Sequence, residues 1–358
     1  MRDTDIHDSL LFFARALFVT YFSLLFMRNV AWYFFNLPTR DQTKTTRNCY
    51  DWFEHYLPPI KHKIDYSEGL FDFEEKGMTL ETATENKYRY IFELLELKPG
   101  MSLLDVGCGS GVWMEYCAQQ GVKVIGLTLS LEQVSVVRKK GLEVMQQDYR
   151  VKNPSFIGQF DRITTLGSTE HLCSSMGVFS NNAARLRSQK TIANVWRLFQ
   201  SYLKPDGKIF VTTLTWNEKV PWSLLDRTQA FVLDQHHGGY YPHLSDLKNK
   251  VAPDAGLKMT HIEDHTADYH WSSMVDKRHF GYFTIDWDEN TVDKIRYIFT
   301  SFLKGPFQFP FHWLYQVFDT WMWQFGGPKN RSLVPEEVEH VAHAQLKYFL
   351  LQPAQLLQ

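Results

Sequence analysis

The chain has 358 residues, enough for one large domain with additions or for two domains. Its 38 Lys and Arg nearly balance 40 Asp and Glu, and a net charge of −2 excludes the strongly basic surface of a general nucleic-acid binder. With 44% hydrophobic, 22% charged and 15% aromatic residues, the composition is that of a globular protein with a bulky core, a greasy substrate or a membrane face.

The first predicted element is apolar. Residues 10–27, LLFFARALFVTYFSLLFM, are interrupted only by Arg15, Thr20 and Ser23. The run approaches the ~20 residues that cross a bilayer, and Arg15 lies near one end, where its side chain can reach the interface. The acidic start MRDTDIHDS and the lack of a small-residue cleavage site argue against a secretory signal peptide. Two readings stand. Segment 1–40 is a membrane anchor, spanning or lying in the interface, on the cytoplasmic face; or it is a helix packed on the body. Residues 38–50 are polar and read as a linker, within a cap region spanning 41–97. At its end, 78–97 (MTLETATENKYRYIFELLEL) predicts a helix, with Thr79 as cap and Pro99-Gly100 as stop.

A strand–helix alternation follows. MSLLDV, VKVIGLTL, LEVMQQD, FDRITTLG and KIFVTTLT read as strands; VWMEYCAQQ, LEQVSVVRKK and TIANVWRLFQSYL read as helices. This predicts an α/β doubly wound sheet, mostly parallel, over a core at 98–326. Residues 172–190 read as an inserted loop and 216–255 as an insertion covering the substrate. LKMTHIED reads as a further strand, residues 296–325 are unusually aromatic, and the tail 327–358 reads as helical, with Pro335 opening it. Cys49, Cys108, Cys117 and Cys173 have no framework or CxxC spacing and read as reduced thiols. The pair His236-His237 lacks partners at ligand spacing, so no metal is expected.

The chemistry starts at LLDVGCGSG. Asp105 ends a strand at its carboxyl edge, where ligands bind in such sheets. Gly107 and Gly109 are read as baring the backbone to a cofactor, and Gly111 as letting the next helix approach the strand. GxGxxG would favour a pyrophosphate at a helix N-terminus, whereas GxGxG behind an acid disfavours phosphate and suits a cationic amino acid carrying a nucleoside. That describes S-adenosylmethionine; a tight turn without ligand is the plain alternative. The second strand runs into Thr128, Ser130 and Gln133, which can bind ribose hydroxyls. The third ends in QDYR, where Asp148 can accept from an adenine amino group and Tyr149 can stack on the ring.

These pieces resemble the cyclopropane-fatty-acid synthase family, which includes the mycolic acid cyclopropane synthases. The resemblance runs from about residue 50 to 274 through DYSEGLF with MTLETA, LKPGMSLLDVGCGSG, VIGLTLSLEQ, QQDYR, FDRITTLGSTEH, LKPDGKIFVTTL and ADYHWSS. It implies the class I methyltransferase fold, S-adenosylmethionine as methyl donor, an unsaturated acyl lipid as substrate, and a base that removes a proton from the transferred methyl to close a cyclopropane ring. In the family that base is a bound bicarbonate. By position Glu170 and Tyr269 match two of its ligands, while Tyr66, Ser67, Gly107, Thr128 and Gln133 match cofactor contacts. Glu68 stands where the family has cysteine, Thr212 where it has histidine, and Ser110 where tryptophan is common.

Two crowded carboxylates disfavour a bound anion. Glu68 is therefore expected to replace bicarbonate as an internal base, or else to face solvent on the cap. Without a base the product would be methyl-branched or methylene-bearing. Tyr269 and Trp271 can stabilise a cation through their faces. A second reading is an amine N-methyltransferase like the plant alkaloid enzymes, which also carry a Glu-His, here Glu170-His171. A third is a non-catalytic scaffold. The lipid reading implies a membrane partner and no nucleic acid; the tail can also pair with a second copy.

Overall fold

The central strands of this protein carry apolar residues on both faces, because their side chains pass alternately into two cores. In the computed structural model, β1 (Ser102–Val106) sends Leu103 to one core and Leu104 and Val106 to the other. In β5 (Leu203–Trp216), Phe210, Leu214 and Trp216 face the first core, and Ile209 and Val211 the second. A sheet buried on both faces produces this pattern. The structure describes residues 42–56, 67–75, 77–173, 182–221, 238–275 and 342–354, with isolated positions 20, 23–24, 27, 303 and 337–338.

The remaining strands are β2 (Lys123–Thr128), β3 (Glu143–Gln146), β4 (Phe160–Leu166), β6 (Leu257–Asp264) and β7 (Ala344–Pro353). Their order is β3-β2-β1-β4-β5-β7-β6. The first five are parallel, and β7 runs antiparallel between β5 and β6. The chain reverses its direction of winding between β1 and β4, which opens a crevice outside the carboxyl ends of the strands.

Helices cover both faces. On the first lie α2 (Leu80–Leu94), α3 (Val112–Gln119) and α4 (Leu131–Lys139); on the second lie α5 (Asn182–Tyr202) and the helical run α6 (244–254). Helix α1 (Gln42–Tyr56) precedes them, and α7 (Thr266–Val275) follows β6. Their ends are set locally. Thr79 caps α2 as expected, its Oγ1 accepting from Thr82 N at 3.2 Å. At the other end Arg162 Nε donates to Leu95 O at 2.6 Å, satisfying a carbonyl that the helix leaves open.

Four expectations are corrected. The tail is not helical over 344–353 but forms the interior strand β7, so the core extends past 326. Leu346, Tyr348 and Leu350 enter one core while Phe349 and Leu351 enter the other, which erases the polar alternation that marks a strand. The polar stretch 38–50 is helical from Gln42 onward. The loop expected at 172–190 gives way to α5 at Asn182. Within 216–255, the run 244–254 packs against α5 and β6 and belongs to the sheet's own wrapping. No helix among the described residues is long and apolar enough to cross a membrane. The apolar segment 10–27 lies almost wholly outside the described residues, as do Tyr66, residues 222–237 and the tail up to 336.

Candidate active site

The loop after β1 is built on left-handed backbone. Gly107, Gly109 and Gly111 have φ of 78°, 53° and 74°. Gly107 N and Cys108 N donate to Leu127 O at 2.8 and 3.0 Å, which ties the loop to β2. Two of the glycines make room for neighbouring side chains. A Cβ on Gly107 would lie 2.5 Å from Ser168 Cβ, and one on Gly111 would lie 2.9 Å from Val137 of α4. Asp105 lies beneath the loop and is buried. It accepts from Thr164 Oγ1 at 2.8 Å, whose oxygen in turn accepts from Trp113 Nε1 at 3.2 Å.

At the end of β2 the expected ribose contacts form a network of their own. Thr128 Oγ1 donates to Gln133 Oε1 at 2.5 Å and accepts from Ser130 N at 3.1 Å. Ser130 caps α4, accepting from Gln133 N at 3.0 Å, and donates to Asp51 Oδ1 on α1 at 2.5 Å. Its hydroxyl is thus engaged by the fold, while the buried amide Nε2 of Gln133 has no hydrogen-bond partner among the described residues.

Beyond β3, both oxygens of Asp148 take the Arg150 guanidinium, at 2.6 to 3.1 Å. Burial works against that charge, but Arg150 outweighs it and holds the Asp148 carboxyl below its usual range. Tyr149 is buried against Phe199, with its hydroxyl donating to Ser168 O at 2.7 Å. Its contacts within the protein are those of a core residue.

The acids converge on the other side of β1. Glu170 lies in a short 3₁₀ turn (Thr169–Leu172) after β4 and is 5% exposed. Leu214 N on β5 donates to its Oε1 at 2.6 Å. Burial pushes the Glu170 carboxyl up to about 7; hydrogen bonds from Leu214 and Thr213 pull against this, and the charge of Glu68 adds to it. Glu68 is 1% exposed, which removes the solvent-facing alternative, and Tyr348 of β7 donates its phenol to Glu68 Oε1. Next to it, Ser67 accepts from the buried Lys87 at 2.5 Å. The Glu68 strap is fastened to α7 through Gly69 N on Ser272 Oγ at 2.9 Å and Phe71 N on Asp268 Oδ1 at 2.8 Å. Tyr269 lies on the same helix, half-buried.

Three functional candidates come from the structure alone. Tyr50 on α1 meets His171 Nε2 at 2.7 Å, ring edge to face, and feels the charges of Glu170 and Tyr269. Burial first, then Cys49 and those neighbours, raise its phenol above the ordinary range. Tyr348 lies in a strand the sequence hides. Ser110, a sequence departure with no role assigned, carries a buried hydroxyl without a hydrogen-bond partner among the described residues.

Ser110 Oγ, Gln133 Nε2 and Glu170 Oε2 share that condition, and they follow β1, β2 and β4, three neighbouring strands. Buried polar atoms left open at the carboxyl ends of neighbouring strands are groups that a ligand or water can satisfy. A hydroxyl and an amide donor beside a buried acid fit the polar groups of a nucleoside-bearing amino acid. No group of three or more His, Cys, Asp or Glu among the described residues could hold a metal. Bicarbonate does not fit. Glu68 and Glu170 crowd its place with negative charge, and Thr212, in the family's histidine position, is engaged by Gly167 N at 2.9 Å.

A parallel sheet closed by one reversed strand in the order 3-2-1-4-5-7-6, with a glycine loop after β1, defines a class I methyltransferase fold. The solved structure of a cyclopropane synthase from Mycobacterium tuberculosis shares it, with a TM-score of 0.63 at 20% identity over 88% of this chain and 99% of that one. Within that class the chain belongs to the mycolic acid cyclopropane synthetase family, whose model matches residues 39–308. The cyclopropane-fatty-acyl-phospholipid synthase of Escherichia coli is 36% identical over 148 residues, 36% of this chain and 37% of that one, so the chain spans about a third of that relative's length. Cyclopropane mycolic acid synthase 2 of Mycobacterium bovis is 30% identical over 244 residues, 63% of this chain and 76% of that one.

Proposed function

We propose that the protein is an S-adenosylmethionine-dependent methyltransferase that adds a one-carbon unit to the double bond of an unsaturated acyl chain in a membrane lipid. The observation that carries this reading is the buried pair Glu68 and Glu170 beside the glycine-loop crevice. A carboxylate kept from water is a stronger base, as removal of a proton from an alkyl cation's neighbour requires. Family membership and the acyl-lipid substrates named for the E. coli and M. bovis relatives support the substrate class.

When bound, S-adenosylmethionine supplies an electrophilic methyl carbon to the alkene's π pair. Gln133 Nε2 and Thr128 would hold the ribose, Ser110 would meet the ligand from the glycine loop, and Asp105 would face the ammonium group, directly or through water. After transfer the acyl chain is cationic, and its new methyl is acidic. Glu68 accepts a proton there, and the released C–H pair closes the ring. Tyr269 presents an aromatic face that favours the cation. Acyl chains reside in bilayers, so the enzyme works at a membrane surface, and the apolar segment 10–27 serves that association.

The test is lipid mass spectrometry of cells expressing the chain, with a labelled methyl donor. The expected product is an unsaturated lipid that gains the mass of one CH₂ and loses a double bond. Label appearing on amines instead would replace this reading with N-methyl transfer, and absence of donor binding by calorimetry would leave only a scaffold.

A further inference from the structure

We infer that Tyr348 is the positioning residue that keeps Glu68 the ionised member of the Glu68–Glu170 pair, and so makes Glu68 rather than Glu170 the base. This deepens the proposed function and rests on it. Both acids are buried and interact through their charges. Two such carboxylates do not ionise together without large cost; they titrate as a unit and share a proton over a wide pH range. What decides the chemistry is which of them carries it.

The asymmetry lies in the donors. Glu68 Oε1 receives the Tyr348 phenol. That phenol is fully buried on an interior strand, its ring held against Phe210 at 5.5 Å and 83° and against His265 at 4.1 Å and 38°. It has no room to turn away. The strap carrying Glu68 is fixed on both sides, by Lys87 on Ser67 and by Ser272 and Asp268 on Gly69 and Phe71. Glu170 also accepts hydrogen bonds, from Leu214 N at Oε1 and from Thr213, but its Oε2 has no partner among the described residues and is the atom able to hold a proton without losing a bond. A hydrogen bond donated to the charged form favours that form.

The surrounding charges act in the same direction. His265 lies between Asp268 Oδ2 at 2.9 Å and Glu263 Oε2 at 3.2 Å. Burial opposes its charge, but the two carboxylates, Asp268 foremost, hold its pKa above the ordinary value. Lys87 adds positive charge beside Ser67, Lys347 is paired with Asp264, and Tyr50 is close enough to Glu170 to feel its charge. Glu170, pushed to about 7 by burial, is the member left holding the proton near neutrality.

The experiment is an isotope-edited infrared titration of the full chain with labelled glutamate and no lipid present. Glu68→Gln identifies the band of Glu68, and loss of an ionised carboxylate band near neutral pH is expected. In Tyr348→Phe the Glu68 ionisation midpoint rises by about one pH unit, the size of a lost hydrogen bond to a charged group. The acidic limb of the rate–pH profile moves up equally. A 3-fluorotyrosine at 348 preserves packing and strengthens the donor, so both quantities move down; this arm stands even where Tyr348→Phe does not fold. A structural role alone would lower activity at every pH and leave the midpoint in place. Unmoved midpoints, or loss of a protonated carboxyl band in Glu68→Gln, would overturn the inference. Because the titration uses no substrate, failure to modify lipid would count against the proposed function and not against Tyr348.

Discussion

The two halves of the crevice are assembled by different means. On the β1–β2–β3 side, polar side chains meet close neighbours in sequence: Thr128 reaches Gln133 five residues on, and Ser130 accepts from the amide three residues on. On the β4–β5–β7 side the partners are remote. Leu214 serves Glu170 across 44 positions, and Tyr348 serves Glu68 across 280. The bonds among Thr128, Ser130 and Gln133 are therefore a property of a short motif, although Ser130 also reaches Asp51 and Asp105 reaches Thr164, whereas the acid pair is a property of the completed sheet. Their chemistry differs in the same way. The first leaves neutral donors open to a ligand, whereas the second concentrates buried negative charge.

The sharpest way to separate the halves is Glu68→Gln. Loss of a general base costs about 10²- to 10⁴-fold in rate. We expect that loss in methyl-donor turnover assays, with donor affinity by calorimetry unchanged. A parallel fall in affinity would mean the halves are one unit.

Next is Glu170→Gln, read as stability against pH. The folded-state value of Glu170 is raised from 4.5 to about 7. Its stabilising contribution is full below 4.5 and is lost as pH rises through 7. Glutamine cannot ionise and keeps the acceptor for Leu214 N. The variant should therefore gain on the native protein by up to about 3 kcal/mol between pH 4 and pH 8, measured by denaturant unfolding at each pH. A gap independent of pH would show that Glu170 is not neutralised by the fold.

Gln133→Ala tests the donor half. Removing one buried hydrogen bond to a ligand costs on the order of tenfold in affinity, so calorimetry with S-adenosylhomocysteine should show that loss equally at pH 6 and pH 8. The smallest effect belongs to Thr79→Ala, outside both halves. Loss of the α2 cap costs about 1 kcal/mol of stability, with donor binding and pH profile unaltered.

This division also explains what the sequence makes legible. The alternation of strands and helices, the Thr79 cap and the glycine loop are local patterns, and each is where its motif indicates. Glu68 and Glu170 stand out by their chemistry and do come together. What surrounds Gly107, Ser130 and Tyr149 was not legible, because a motif names residue types but not their neighbours; Ser168, Asp51 and Phe199 lie against them. Strand β7 was hidden because it is buried on both faces and thus lacks alternation. With it went Tyr348, whose partner no spacing rule connects to it.

The late position of β7 in the chain has a consequence for biosynthesis. Everything needed for the glycine-loop crevice has left the ribosome well before residues 344–353 are made, yet the interior slot between β5 and β6 stays vacant until then. A nascent polypeptide can thus complete the glycine loop and its ties to β2 before it carries the phenol that meets Glu68.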